Sequence, residues 1–240
     1  KEIAPGERRG AGTADTVGRL IEQGFTILVE SGAGEGARCS DEAYSLAGAT
    51  VVSDVNPIWD EADIILKVQP PRLDEDRGFH EGDRLRKGVL LVCLLYPAQN
   101  RGLLERVGVH GGSVFALDQI PRNANSQKMD VLHSMSSIAG YRAIVEASNL
   151  YGGILGGQST AAGQIHPAQV LVIGAGVAGM AAIATARALG AAVRVVDVRV
   201  ELKEQIENLG AHFIGLELVE NEESTHGNAK LMSKTMLNAE

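Results

Sequence analysis

Three glycines and one acid are the residues of this chain best placed to do chemistry. Gly174, Gly176 and Gly179 stand in the order Gly-x-Gly-x-x-Gly, and Asp197 follows 18 residues after the last of them. A turn of that composition lets main chain approach a pyrophosphate. The helix behind it offers amide donors and the positive end of its dipole to the phosphates. A carboxylate about 20 residues further on accepts hydrogen bonds from ribose 2′- and 3′-hydroxyls. The chemistry implied is the binding of a dinucleotide.

The glycine spacing alone is weak evidence, so the surrounding elements decide. Val170–Ile173 is a short apolar run, Met180–Leu189 has the composition of a helix, and Val193–Val196 is a second apolar run ending at Asp197. Strand, glycine turn, helix, strand and acid therefore occur in the required order. The candidate cofactor contacts here are Gly174, Ala175, Gly176, Val177, Gly179, Asp197, Val198 and Arg199. Asp197 favours NAD(H), because a carboxylate repels a 2′-phosphate. Arg199 lies two residues on and could neutralise such a phosphate, so the preference is not absolute. FAD proteins share the fingerprint, often at the very N-terminus, whereas this turn lies deep in the chain.

A length of 240 residues fits one large or two small domains, and 45% hydrophobic residues suffice for packed cores. The net charge of −8, with no Lys/Arg tract longer than two residues, argues against nucleic acid as a partner. Cys39 and Cys93 are the two cysteines, outside any CxxC or Cys/His cluster, which fits a reducing compartment and offers no metal site. No run reaches the ~18 apolar residues that span a bilayer, and the first residues lack a signal-peptide pattern. Direct membrane insertion by this chain is not expected.

The first half alternates strand candidates (Phe25–Val29, Ile64–Val68, Val89–Leu95, Ser113–Leu117) with helix candidates (Thr13–Glu22, Ser40–Ala47, Asn100–Val107). Short apolar runs bounded by glycine, proline or charge read as strands of a covered parallel sheet. Thr13 and Ser40 are helix caps, each with an acid in the first turn. A polar loop from Asp118 leads into a long helix over Met129–Tyr151, and Gln158–Pro167 reads as a connection. The expected fold is α/β: two doubly wound, Rossmann-like domains, residues 1–150 and 151–240, with a cleft between them. The second domain carries two clear strands, a possible third at His212–Gly215 and a helix-like run over Asn228–Glu240. That is the first half of a dinucleotide domain, so either the chain is a fragment or the other half belongs to another segment.

Several stretches resemble one family. Val170–Arg199, Glu201–Gln205, Leu209–Phe213, Gly32–Gly34, Tyr96–Asn100, Ile138–Ala143 and Thr160–Gly163 are similar to the NAD(H)-binding component of proton-translocating nicotinamide nucleotide transhydrogenase, in order along nearly the whole chain. The family's loop before the long helix corresponds to Pro121-Arg122, Gln127 and Asp130. The resemblance implies that Arg122 contacts the cofactor's pyrophosphate or ribose, and that Gln127 and Asp130 hold the carboxamide and steer the ring during hydride transfer. Read without the family, the same residues are a polar loop, with Asp130 favoured by the helix dipole. The resemblance also implies an NADP(H)-binding domain and a membrane proton-channel domain as partners, and a homodimer. It places the chain peripherally on a membrane complex, at the cytoplasmic face of a bacterial inner membrane or on the mitochondrial matrix side.

Departures from the family's pattern are His133 for a Ser and Arg9–Thr13 near the start. Gly227-Asn228-Ala-Lys230 stands where a covering Tyr is usual, with Gly227 as a further cofactor contact. Alanine dehydrogenase shares the fold and many of these motifs. It uses a Lys, an Arg and a catalytic His in the first domain. Lys67 and Arg9 match the first two, while Tyr96 stands at the His position. Unperturbed tyrosine does not exchange protons near neutral pH as histidine does. A non-catalytic NAD-binding module is the third reading.

Overall fold

The structure, a computed structural model, describes residues 1–121, 123 and 125–215. Its contacts divide the chain into two compact units, Lys1–Pro121 and Arg122–Glu240.

The first unit begins with α1 (Ala14–Glu22), β1 (Leu28–Glu30), α2 (Asp41–Leu46), β2 (Thr50–Val52), α3 (Asn56–Glu61) and β3 (Ile64–Leu66). The short antiparallel strands β4 (Leu73–Asp74) and β5 (Phe79–His80) come next, then β6 (Leu90–Cys93), α4 (Arg101–His110) and β7 (Ser113–Ala116). β1 and β2 pair in parallel, with Val29 opposite Val51. A second parallel sheet has the order β3-β6-β7, with Ile65 opposite Leu91 and Leu91 opposite Val114.

Capping explains where the helices start. The Thr16 amide donates to Thr13 Oγ1 at 3.4 Å while the Thr13 amide donates to Thr16 Oγ1 at 2.7 Å, a reciprocal cap on α1. Ser40 Oγ accepts from the Ala43 amide at 3.2 Å. The strand expected from Phe25 begins at Leu28 instead, because the exit of α1 takes up the intervening chain: the Phe25 amide donates back to the Leu20 carbonyl at 3.2 Å. Leu91, Cys93, Val89 and Leu85 are fully buried under the second sheet with Trp59, Leu103 and Val107. Val17, Tyr44 and Ala49 pack beneath the first.

The second unit holds α5 (Val131–Tyr151), an antiparallel hairpin of β8 (Gln158–Thr160) and β9 (Gly163–Ile165), then β10 (Gln169–Ile173), α6 (Val177–Ala188), β11 (Ala192–Asp197), α7 (Lys203–Asn208) and β12 (His212–Gly215). β10, β11 and β12 form a parallel sheet in that order, with Val172 opposite Val195 and Val195 opposite Phe213. Ile183 of α6, Val195 of β11 and Ile206 of α7 have no exposed surface and form the centre of its core. Each such side chain is worth about 1.5–3 kcal/mol of burial, which fixes α6 and α7 on the sheet.

The sequence puts a domain boundary at 150, behind the long helix, whereas the compact units divide ahead of it, at 121. The reason is α5 itself, which packs along α6 in the second unit. The stretch expected as a plain connection at Gln158–Pro167 folds into the β8–β9 hairpin, every strand residue of which is exposed. The helix-like run at Asn228–Glu240 lies outside the described residues.

Candidate functional site

The glycine turn between β10 and α6 is built as its composition demands. Gly174 has φ +90°, a conformation that glycine adopts without steric cost, and its amide continues the ladder by donating to the Val196 carbonyl at 2.8 Å. Gly179 lies so close to Gly174 that a Cβ there would sit 1.9 Å from the Gly174 carbonyl oxygen. Gly176 is different: a Cβ on it would meet nothing within 4 Å among the described residues. The lack of a side chain there is thus not required by any neighbour among the described residues. Gly176 is also the N-cap of α6, and no side chain of the described residues caps the helix. The first ladder bond runs from the Met180 amide to the Gly176 carbonyl at 2.8 Å. The amides of Val177, Ala178 and Gly179 precede it and are the donors such an end presents.

Asp197, at the end of β11, is 7% exposed and tied to this turn. Its Oδ2 accepts the Ala175 amide at 2.6 Å, and Oδ1 accepts the Arg199 amide at 2.9 Å. The Arg199 guanidinium closes on the same carboxylate, Nε donating to Oδ1 and Nη2 to Oδ2, both at 2.9 Å. Burial works to raise the Asp197 pKa, but the Arg199 fork and the two amides outweigh it and hold the carboxyl at about 2. Asp197 is thus an anion throughout the physiological range. Arg199, read from sequence as a possible phosphate partner, is engaged with the acid that was expected to exclude phosphate.

Asp130 is the N-cap of α5, and its Oδ1 accepts the His133 amide at 2.9 Å. The carboxylate is 9% exposed. Gln127 sits exposed on a short 3-10 turn, Gln127–Met129, just ahead of it. Helix α5 crosses the start of α6 at Gly140, where a Cβ would lie 1.9 Å from the Ala178 carbonyl oxygen. Asp130 lies ten residues before that crossing, about 15 Å along a helix axis. A single molecule that touched both the glycine turn and the Gln127–Asp130 loop would be an extended one. Arg122 and Gly227 lie outside the described residues. Val198 follows Asp197 at the strand exit.

In the first unit, Lys67 and Arg9 are both paired. Lys67 is buried, its Nζ 2.7 Å from Glu81 Oε1 and 3.6 Å from Glu2 Oε2. Arg9 grips Glu7 with Nε to Oε1 at 2.8 Å and Nη2 to Oε2 at 2.7 Å. That fork, against the opposing effect of burial, holds the Glu7 carboxyl at about 2. Tyr96 has φ +50° and is held there by Asp118, which accepts the Leu95 and Tyr96 amides at 2.6 and 3.1 Å. Sequence reasoning missed Asp118, Gly140 and the Ala175–Asp197 bond. Each is a contact between segments remote in sequence, and the only signal for Gly140 was its place within Ile138–Ala143.

By fold and site the chain is an α/β protein with a Rossmann-type nucleotide-binding unit. Residues 1–139 match the domain described as alanine dehydrogenase/PNT, N-terminal domain, and residues 143–237 match the corresponding C-terminal domain. The chain belongs to the alanine dehydrogenase/PNT family. It is 47% identical over 220 residues to the NAD(P) transhydrogenase subunit alpha of Cereibacter sphaeroides, covering 92% of this chain and 41% of that protein. Among solved structures, the transhydrogenase from Sinorhizobium meliloti superposes with a TM-score of 0.84 at 40% identity, covering 90% of this chain and 60% of the other. An L-alanine dehydrogenase gives 0.77 at 30% identity, with 90% and 59% covered. The chain thus spans less than two thirds of each of these proteins.

Proposed function

We propose that the chain is the NAD(H)-binding component of a nicotinamide nucleotide transhydrogenase, passing a hydride from NADH to NADP⁺ held on a partner domain, in a complex that couples the transfer to proton translocation. The observation that carries the reading is the Asp197 carboxylate, charged, buried and bonded to the glycine turn, in a chain 47% identical to a transhydrogenase alpha subunit. The open side of Gly176 fits a dinucleotide's diphosphate, and the Val177–Gly179 amides fit its charge.

Bound NADH would supply the hydride. Gly174–Gly179 and Asp197 would supply affinity, with Ala175 and Val198 as main-chain neighbours and Arg122 and Gly227 as further contacts. Gln127 and Asp130 would orient the nicotinamide ring. Hydride transfer needs little acid–base chemistry, and orientation alone lowers a barrier by several kcal/mol. The partners are an NADP(H)-binding domain and a membrane proton-channel domain, with this chain peripheral on the membrane complex, on the cytoplasmic or matrix side. No helix of the described residues is long and apolar enough to cross a membrane. A homodimer fits the commonest oligomeric arrangement, and light scattering at micromolar concentration tests it.

The paired cations of the first unit weigh against alanine dehydrogenation. Lys67 and Arg9 would have to leave Glu81 and Glu7 to hold a 2-oxo acid, and Tyr96 stands where a proton-exchanging histidine is needed. The deciding experiment mixes the chain with an NADP(H)-binding partner domain, NADH and NADP⁺, and follows NADPH formation. A parallel reaction holds L-alanine and NAD⁺. Hydride transfer in the first and none in the second is expected; pyruvate formation in the second would overturn the proposal.

A further inference from the structure

The Asp197 carboxylate has its acceptor positions filled. Oδ1 receives the Arg199 amide and Nε, and Oδ2 receives the Ala175 amide and Arg199 Nη2. A carboxylate offers about four lone-pair sites, so a ribose hydroxyl can donate to Asp197 only where one of these donors withdraws. Two of the four are main-chain amides, one inside the glycine turn and one at the exit of β11, and each is held in place by the backbone around it. The Arg199 side chain is about one-third exposed on a flexible stem, and it holds the remaining two positions.

Resting on the NAD(H) reading above, we infer that Arg199 sets this chain's choice between dinucleotides. Its guanidinium covers the lone pairs that a ribose 2′,3′-diol needs, yields them when the ribose enters, and then stands beside the 2′-oxygen as a cation that tolerates a 2′-phosphate. Asp197 and Arg199 together are a neutral pair, which repels a phosphate less than a lone carboxylate does. Arg199 therefore opposes NADH, by competing for Asp197, and favours NADPH, by offering charge. Its planar fork also matches phosphate geometry in a way an amide side chain does not.

The test titrates the whole chain with NADH and NADPH by ligand fluorescence, before and after Arg199→Gln and Arg199→Lys. Competition with 5′-AMP and adenosine 2′,5′-bisphosphate isolates the adenosine half. Arg199→Gln is expected to leave NADH binding equal or tighter and to weaken NADPH and the bisphosphate by about tenfold. Arg199→Lys, which keeps the charge but not the planar fork, is expected to weaken NADPH less than Arg199→Gln does. If Arg199→Gln leaves the NADPH-to-NADH ratio unchanged, or weakens NADH as much as NADPH, Arg199 merely braces the turn and the inference falls, with the NAD(H) reading intact. Tighter binding of NADPH than NADH by the unsubstituted chain would overturn the NAD(H) reading itself.

Discussion

Gly140 of α5 meets Ala178 of α6 with no room for a methyl group: a Cβ on Gly140 would sit 1.9 Å from the Ala178 carbonyl oxygen and 2.7 Å from its carbon. The helix that carries Asp130 at its start is thereby set directly against the first turn of the helix behind the glycine turn. Gly140→Ala must push the two helices apart, at a cost of about 1–3 kcal/mol or more, since backbone cannot give way as a flexible side chain can. The urea midpoint of the second unit should fall with an unchanged slope. A midpoint equal to that of the unsubstituted chain would show that the helices do not meet there.

The glycine turn should divide into structural and binding positions. Gly179→Ala places a methyl 1.9 Å from the Gly174 carbonyl oxygen and should lower both thermal stability and NADH affinity. Gly176→Ala meets no atom of the described residues within 4 Å, so its stability cost is that of a poorer N-cap, about 1 kcal/mol or less. Its NADH affinity should nonetheless drop at least about tenfold, because the methyl takes space needed for the diphosphate. Melting curves beside NADH titrations separate the two. Equal affinity for Gly176→Ala and the unsubstituted chain would remove the diphosphate from this turn.

The pH dependence of stability follows from Asp197. Its folded pKa of about 2 lies below its ordinary value of 3.8, so the folded state binds fewer protons than the unfolded state as pH falls between them. The stabilisation is complete above about pH 4 and is lost as pH falls toward 2, at most about 2 kcal/mol in all. Asp197→Asn should therefore be less stable than the unsubstituted chain at pH 7, with the gap shrinking at pH 3. The same variant should narrow the preference for NADH over NADPH, since about 1–3 kcal/mol rides on a charged hydrogen bond. Urea unfolding at the two pH values checks the first claim; a gap that widens toward acid would contradict it.

Gln127 is exposed ahead of α5 and, on the proposed function, acts on the reacting ring. Gln127→Asn should then slow single-turnover hydride transfer strongly while NADH affinity stays nearly constant, because contacts made mainly in the transition state affect rate and not ground-state binding. Arg122→Ala should instead weaken NADH binding. Parallel losses of rate and affinity in Gln127→Asn would make the loop a binding element alone.

The sequence by itself determined the β10–α6–β11 unit. Its apolar runs, its three glycines and Asp197 lie within 28 consecutive positions, and interactions that local dictate local structure. The caps at Thr13 and Ser40 and the strand at His212–Gly215 were legible for the same reason. Tertiary structure alone decided the rest. Whether Arg199 faces a ligand or Asp197 depends on where the carboxylate turns once the Ala175 amide has claimed it across 22 residues. That Lys67 is satisfied follows from Glu81 and Glu2, whose approach no periodicity records. The close approach of α5 to the start of α6 requires the missing side chain at Gly140, because close packing excludes a methyl that composition treats as trivial.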